Sequence, residues 1–360
     1  MSVYDINGDV LEALYNKNEA SLTHAYDING TEIFSGWNQT TLSYDTNFLI
    51  TSAWLENAAT QRDAVKALYQ ASEDAIPFFI MTDGHGRYNE GNKGCHNLAE
   101  STMKYIANIQ LGDYASYYNN GNDPASHART SAGISNYLTV MGNHEFLRAD
   151  TSDPIADMPT MIASYTPSNA VLGSSTYGYY KVLDNDHNVK WMVTQPYIPN
   201  DSASSGFSVK FTSDQWEWII DELEADDGYD IVFLNHAPYN GTYTRIGDSN
   251  THTHDYPTFN IAPLLADKKL KRSGTLTDSD GNVHSYDFSN SDTDVLCTLH
   301  GHIHYREYMT KEQYGYPAYV GEDFTGVGDS CYGLIDRDNG KLYIYGFTRS
   351  SVYDPLVLDL

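Results

Sequence analysis

From about Thr46 onward the chain alternates between segments of helical and of strand-like hydrophobic spacing. In "TSAWLENAATQRDAVKALYQAS", Trp54, Ala58, Val65 and Leu68 recur on one helical face, and Thr51 or Ser52 offers an N-cap oxygen, so an amphipathic helix is predicted. The next segment, "AIPFFIMTDGHG", is an apolar run of strand length that stops at polar residues and glycines. The same cadence returns in "STMKYIANIQLGDY", "SNYLTVMGNHE", "TSDQWEWIIDELEADDGYDIVFLNHAP" and "DTDVLCTLHGHIH", each apolar run ending at Asp, Asn or His. "YGYYKVLDNDHNVKWMVTQ" reads as a hairpin, and "PAYVGEDF" and "CYGLIDRDNGKLYIYGF" supply more strands. Helices outside and two sheets inside is the simplest packing of that inventory. In open α/β sheets ligands sit beyond the carboxyl ends of the strands, so the polar clusters are expected to meet at one edge.

The first forty-odd residues follow a different pattern. "YDINGDVL" at Tyr4 to Leu11 recurs as "YDINGTEI" at Tyr26 to Ile33, each copy placing Asn-Gly between short apolar stretches. Asn-Gly is a turn signal for a small hairpin or ribbon. Two copies are too few for a solenoid. Residues 1–45 are read as an attachment or assembly module and residues 46–360 as the main domain.

Composition narrows the partners. The 360 residues are 41% apolar and 13% aromatic, which is globular rather than disordered, and 30 are Tyr. Forty-eight Asp and Glu against 21 Lys and Arg give a net charge of −27, and the longest basic cluster is "KKLKR", Lys268 to Arg272. Extended nucleic acids and anionic membranes need clustered cations, so neither is an expected partner. A small anionic substrate remains compatible if metal ions supply local positive charge. The three cysteines, Cys95, Cys297 and Cys331, argue against a disulfide framework, and Cys297 in "DVLCTLHG" reads as a buried hydrophobe. No signal peptide or transmembrane stretch is evident, so the expectation is a soluble, cytoplasmic protein with virion association as the alternative.

"LHGHIHY" sets His300, His302 and His304 on alternate positions, and residues two apart in an extended segment share a face on which a metal ion could be held. Taken by strand end, the other candidates are Asp83 and His85, Asp113, Asn143 with His144, and His236. At these residues the chain resembles a calcineurin-like metallophosphoesterase, whose five blocks run D-x-H, G-D, G-N-H-[DE], H and G-H-x-H. The corresponding segments are "DGH", "GD" (Gly112-Asp113), "GNHE" (Gly142 to Glu145), "NHAP" (His236) and "GHIH" (Gly301 to His304), in family order. One block alone is weak; five in order, each after a strand-like run, form a specific signal. The resemblance covers about Thr46 to the C-terminus and leaves the N-terminal repeat aside.

The resemblance implies an α/β fold, a four-layer α-β-β-α sandwich of two mixed β-sheets flanked by helices, here with a small N-terminal appendage. It also implies two metal ions, one held by Asp83, His85, Asp113 and His304 and the other by Asp113, Asn143, His236 and His302. Two cations close together need a bridging carboxylate, the family role of Asp113, with neutral imidazole and oxygen ligands that leave coordination sites open. The implied reaction is hydrolysis of a phosphate mono- or diester by a metal-bridging hydroxide, with His144 protonating the leaving group and Glu145 orienting His144. Mixed N/O ligands suit Mn, Fe or Zn. His300 falls outside the pattern and is read as supporting or packing. Arg87 and Arg148 are candidates for holding phosphate oxygens, and "NTHTHDY", with His252 and His254, is read as a solvated loop rather than a gate.

Departures narrow the subclass. After the second block the chain reads "GDYASYY", without the G-D-x-x-D-R-G extension of Ser/Thr protein phosphatases or the Asp that cyclic-nucleotide phosphodiesterases often carry there. The rival reading from another class is a phage-tail or cell-surface binding protein built on the same fold, to which the repeated "YDING" segment would suit. A mononuclear hydrolase is disfavoured because the ligand set suits two ions.

Overall fold

A strand whose apolar run is unbroken must be covered on both faces, because successive side chains point to opposite sides of the sheet. The architecture meets that demand with two stacked sheets and a helical cover on each outer face. The structure is a computed structural model and describes residues 3–4, 10–11, 24–26, 32–35, 52–85, 106–113, 136–146, 162–163, 166–199, 207–247, 250–322, 324 and 328–360. Helix α1 (Ser52–Ala71) leads into β1 (Ala75–Met81), β2 (Ala107–Leu111) and β3 (Tyr137–Val140). A short turn of helix, α2 (Asn143–Phe146), follows β3.

The chain then builds a second sheet from β4 (Val171–Leu172), β5 (Tyr180–Asp184), β6 (Val189–Val193), helix α3 (Ser213–Glu224), β7 (Asp230–Leu234), β8 (Gly241–Arg245) and β9 (Thr251–His254). Helix α4 (Ala262–Lys269), β10 (Val295–His300), β11 (Glu307–Met309) and β12 (Ala318–Val320) complete it. The chain returns to the first sheet with β13 (Ser330–Asp336), β14 (Lys341–Phe347) and β15 (Leu356–Asp359).

The first sheet has six strands in the order β15-β14-β13-β1-β2-β3 and the second nine in the order β9-β8-β11-β12-β10-β7-β6-β5-β4. Both are mixed. β1, β2 and β3 are parallel, as are β6, β7, β10 and β12, while the remaining pairings are antiparallel. The predicted hairpin is present: β5 and β6 pair antiparallel with Asp184 opposite Val189.

Side-chain alternation assigns the layers. Phe78 and Ile80 of β1 face the second sheet, where they share a core with Trp191, Val193, Val232 and Leu234. Phe79 and Met81, one residue out of phase, face α1 and pack with Trp54, Ala58 and Val65. On the second sheet Met192, Ile231 and Phe233 turn outward to Trp216, Ile219 and Leu223 of α3 and to Leu264 and Leu265 of α4. The layer order is therefore helix, sheet, sheet, helix, as expected. Each fully buried side chain of this kind contributes about 1.5–3 kcal/mol.

Local chemistry sets the helix ends. The Thr212 hydroxyl accepts from the Gln215 N–H (3.2 Å) and caps α3. In α1, the polar Gln61 on the buried face donates to the carbonyls of Gly346 (3.0 Å) and Tyr353 (2.9 Å), tying the helix to β14 and the segment after it. Thr51 lies outside the described residues.

In the N-terminal segment, Val3–Tyr4 pairs antiparallel with Val10–Leu11, and His24–Tyr26 with Glu32–Ser35. Each strand pair flanks one Asn-Gly, in line with the predicted ribbons. One expectation fails. "NTHTHDY" contributes β9, which pairs with β8, and β8 pairs in turn with β11, so this stretch is part of the sheet and not a solvated loop. Cys297 and Cys331 are buried in β10 and β13, and Cys95 lies outside the described residues. Among the described residues, no helix is long and apolar enough to cross a membrane.

Candidate metal centre

Five strands from the two sheets end at one edge, and the five sequence blocks follow them directly: Asp83 and His85 after β1, Asp113 after β2, Asn143 and His144 after β3, His236 after β7, His302 and His304 after β10. The loops are zipped together by main-chain bonds. Asp83 N donates to Gly112 O (3.0 Å), His85 N to Asp113 O (2.8 Å), and Gly301 N to His236 O (2.8 Å). Two bonds join the sheets here: His302 N to Asp83 Oδ2 (2.9 Å), and His236 Nδ1 to Leu111 O (2.6 Å).

Eight described non-glycine residues have positive φ, and five of them are Asp83, His85, Asp113, His302 and His304. The left-handed region costs an ordinary residue about 1–2 kcal/mol, and such outliers concentrate where side chains are aimed at a ligand. Gly112, at φ +93°, is required for a second reason, since a Cβ there would overlap the His236 imidazole.

The donors fall into three overlapping groups whose ligand atoms lie within 4.8 Å of one another: Asp83, His85 and His304; Asp113, His236 and His302; and His85, Asp113 and His144. The first of these groups contains His304 and the second His302, and Asp113 belongs to two of the three. His304 Nε2 lies 3.3 Å from Asp83 Oδ1 and 3.3 Å from His85 Nε2. His236 Nε2 lies 3.1 Å from Asp113 Oδ2 and 3.9 Å from Asp83 Oδ1. His144 Nε2 is 3.9 Å from Asp113 Oδ2, and the His144 ring stands edge-on to His85 at 4.5 Å.

Electrostatics prepare this set for cations. Burial by itself would raise the Asp83 carboxyl, but His236 and His304 override it and hold Asp83 well below the usual carboxylate range. Asp113 is likewise lowered, against burial, chiefly by His236. Burial pushes His302 down to about 4 and lowers His85, so both rings are neutral near pH 7 with a lone pair to offer. Burial also pulls on His236, yet Asp113 and Asp83 outweigh it and push this imidazole up to about 9. With Nδ1–H donating to Leu111 O, the second nitrogen, Nε2, is aimed at the carboxylates.

The donor set fits metal ions on a direct observation. The Asn143 Oδ1 atom is buried and has no hydrogen-bond partner among the described residues, a costly arrangement for an amide carbonyl unless a cation takes it up. Fully buried carboxylates surrounded by imidazole nitrogens make a hard-oxygen and nitrogen environment suited to first-row divalent ions.

No family model matches the sequence, and no curated protein matches it. Solved structures show a partial likeness, among them the two that follow. The NAD nucleotidase NadN of Haemophilus influenzae matches with a TM-score of 0.39 and 11% identity over 79% of this chain and 50% of that one. The sulfate thiohydrolase SoxB of Thermus thermophilus, in complex with glycerol, matches with a TM-score of 0.38 and 10% identity over 76% of this chain and 42% of that one. The chain thus spans half or less of each of those proteins. Its functional reading rests on its own side chains.

Several supporting residues escape a reading by motif. The Thr82 hydroxyl donates to Asp83 Oδ2 (2.5 Å), leaving Oδ1 to face the imidazoles. Gln110 Nε2 donates to Gly112 O (2.9 Å) and Gln110 Oε1 accepts from Gly112 N (3.0 Å), fixing the turn before Asp113. A polar residue inside the apolar run "ANIQL" is the one sequence signal for that role. Tyr197 places its ring 6.1 Å from His236 and forms a wall of the site, and burial holds its phenol protonated.

His300 is buried, bonded through Nδ1 to Asn235 O (3.2 Å) and packed on Tyr239, in keeping with a supporting role. His254 is 3.0 Å from the buried Glu307 carboxylate. Arg87 and Arg148 lie outside the described residues.

Proposed function

We propose that the chain is a metal-dependent phosphoesterase that holds two ions at the strand edge and hydrolyses a small or surface-displayed phosphate mono- or diester. The observation that carries this reading is the gathering of all five blocks into three overlapping His/Asp groups, two of which contain Asp113. One ion would be held by Asp83, His85 and His304, the other by His236, His302 and the orphaned Asn143 carbonyl, with Asp113 common to both. Such ions acidify a bound water and neutralise charge on phosphoryl oxygens. Mn, Fe and Zn all suit the donors.

This chain's own residues do the rest. Asp113 and Asp83 supply the negative charge that keeps two cations together, and the neutral His85 and His302 rings hold them without adding charge. His144, at the rim with its side chain 23% exposed, is within reach of solvent and of a leaving oxygen, to which it gives a proton. Tyr197 and the buried strand ends narrow solvent access from the sheet side. Arg87 and Arg148 are proposed to grip phosphate oxygens, and the Asn-Gly ribbons of residues 1–45 to attach the domain to an assembly.

The test is metal analysis of the purified protein together with turnover of p-nitrophenyl phosphate and its bis ester. Two ions per chain are expected. His144→Ala should keep both ions and lose about 10²–10⁴-fold in turnover, the range for general-acid removal. Asp113→Ala should lose ions and turnover together with the fold intact by circular dichroism. Full turnover in either variant, or a protein that binds no metal, overturns the reading.

A further inference from the structure

The side chain of Glu145 is 2% exposed, and its Oε2 accepts two main-chain N–H groups, from Gly142 (2.5 Å) and from Asp113 (3.1 Å). Asp113 answers in kind, since its Oδ1 accepts from His144 N (2.8 Å). The loops after β2 and β3 therefore exchange bonds reciprocally, each acid side chain holding the other loop's backbone. The approach is close, because a Cβ at Gly142 would overlap the Asp113 carboxylate. Asp113 sits at φ +51°, a conformation that must be held by its surroundings.

We infer that Glu145 is a positioning residue for the metal pair, acting through the main chain of Asp113. Its carboxylate fixes the left-handed turn at Asp113. With Oδ1 committed to the His144 N–H, the other oxygen, Oδ2, is the one that faces His236 Nε2 (3.1 Å) and His144 Nε2 (3.9 Å). The Asp113 carboxylate thus presents one oxygen to the centre, in an orientation set by its bonds to the neighbouring loop. Glu145 needs acceptor oxygens for this task and not its charge, whereas orientation of His144 by a carboxylate would depend on the charge.

The inference rests on the metal-centre reading and separates from it in one experiment on the full chain. Metal stoichiometry and affinity are measured with Mn²⁺ and Zn²⁺ by titration calorimetry and elemental analysis for wild type, Glu145→Gln, Glu145→Ala and Glu145→Asp, with pH–rate profiles on p-nitrophenyl phosphate. Glu145→Gln, whose amide oxygen can accept the same two N–H groups, is expected to keep two ions and the wild-type inflections of the pH profile. Glu145→Ala and Glu145→Asp, which lack or cannot reach those bonds, are expected to bind the pair 10–100-fold more weakly, the usual effect of removing a residue that orients a ligand.

Should Glu145→Ala fail to fold, the aspartate and glutamine variants still decide the matter. A displaced inflection in Glu145→Gln at full metal content overturns the inference in favour of a charge partner for His144, as does wild-type affinity in both shortened variants. A wild type without metal sinks the underlying reading instead.

Discussion

At the scale of single residues the centre is a balance between burial and charge. The neighbours of His236 push its imidazole up, to about 9, because Asp113 and Asp83 outweigh burial. In the ion-free protein the protonated pair stabilises the fold fully below pH of about 6.5, and that contribution is lost as pH rises through about 9. An ion needs the neutral ring, so it must displace that proton. Metal affinity is therefore expected to rise up to about tenfold per pH unit from neutrality to pH ~9 and then level off. Calorimetry at pH ~7.5 in buffers of different ionisation heat should count close to one proton released per chain from this residue. An affinity flat between pH ~7 and ~9 would sink that assignment of the proton. These side chains were legible as candidates, since each follows an apolar run. The supporting oxygens of Thr82 and the main-chain role of Glu145 were not, because a hydrogen bond to a distant backbone leaves no periodic trace.

At the scale of elements, the strand runs announced burial on two faces without saying what covers each. In "AIPFFIM" the sequence is apolar throughout, yet Phe78 belongs to the core between the sheets and Phe79 to the core under α1. Phe78→Ala should cost about 3–5 kcal/mol, since it opens a cavity between two sheets that cannot easily collapse. Urea unfolding checks this, and a midpoint shift worth less than about 1 kcal/mol would mean the site is not closely packed. The β8–β9 hairpin was hidden for the opposite reason. "THTH" alternates polar residues with polar residues, so nothing marks a buried face, and its strand character comes from pairing with β8 and, through it, with β11.

At the scale of the molecule, the edge opposite the candidate metal centre is stapled by Arg337, which follows β13. Its guanidinium bonds Asp74 ahead of β1 (2.5 Å), Asp230 at the start of β7 (3.2 Å) and the His187 carbonyl (2.6 Å), so one side chain spans both sheets. Arg337→Ala should lower stability by about 1–3 kcal/mol, the usual loss for charge-assisted hydrogen bonds that are partly buried. Metal stoichiometry should stay at the wild-type value, because the strands separate Arg337 from the ligands. Thermal unfolding and elemental analysis test the two halves, and a variant that loses ions would show the two edges to be coupled. The chain's amino-acid order alone indicated most of the helical and strand segments, though not the β8–β9 hairpin, and it placed every candidate donor after an apolar run, because those properties follow from short-range periodicity. Which candidate donors come within reach of one another, which oxygen of Asp113 faces His236 and what Glu145 holds were decided only by the tertiary structure. Contacts such as His302 N to Asp83 Oδ2, 219 residues apart, depend on how two sheets stack, and no local pattern encodes that.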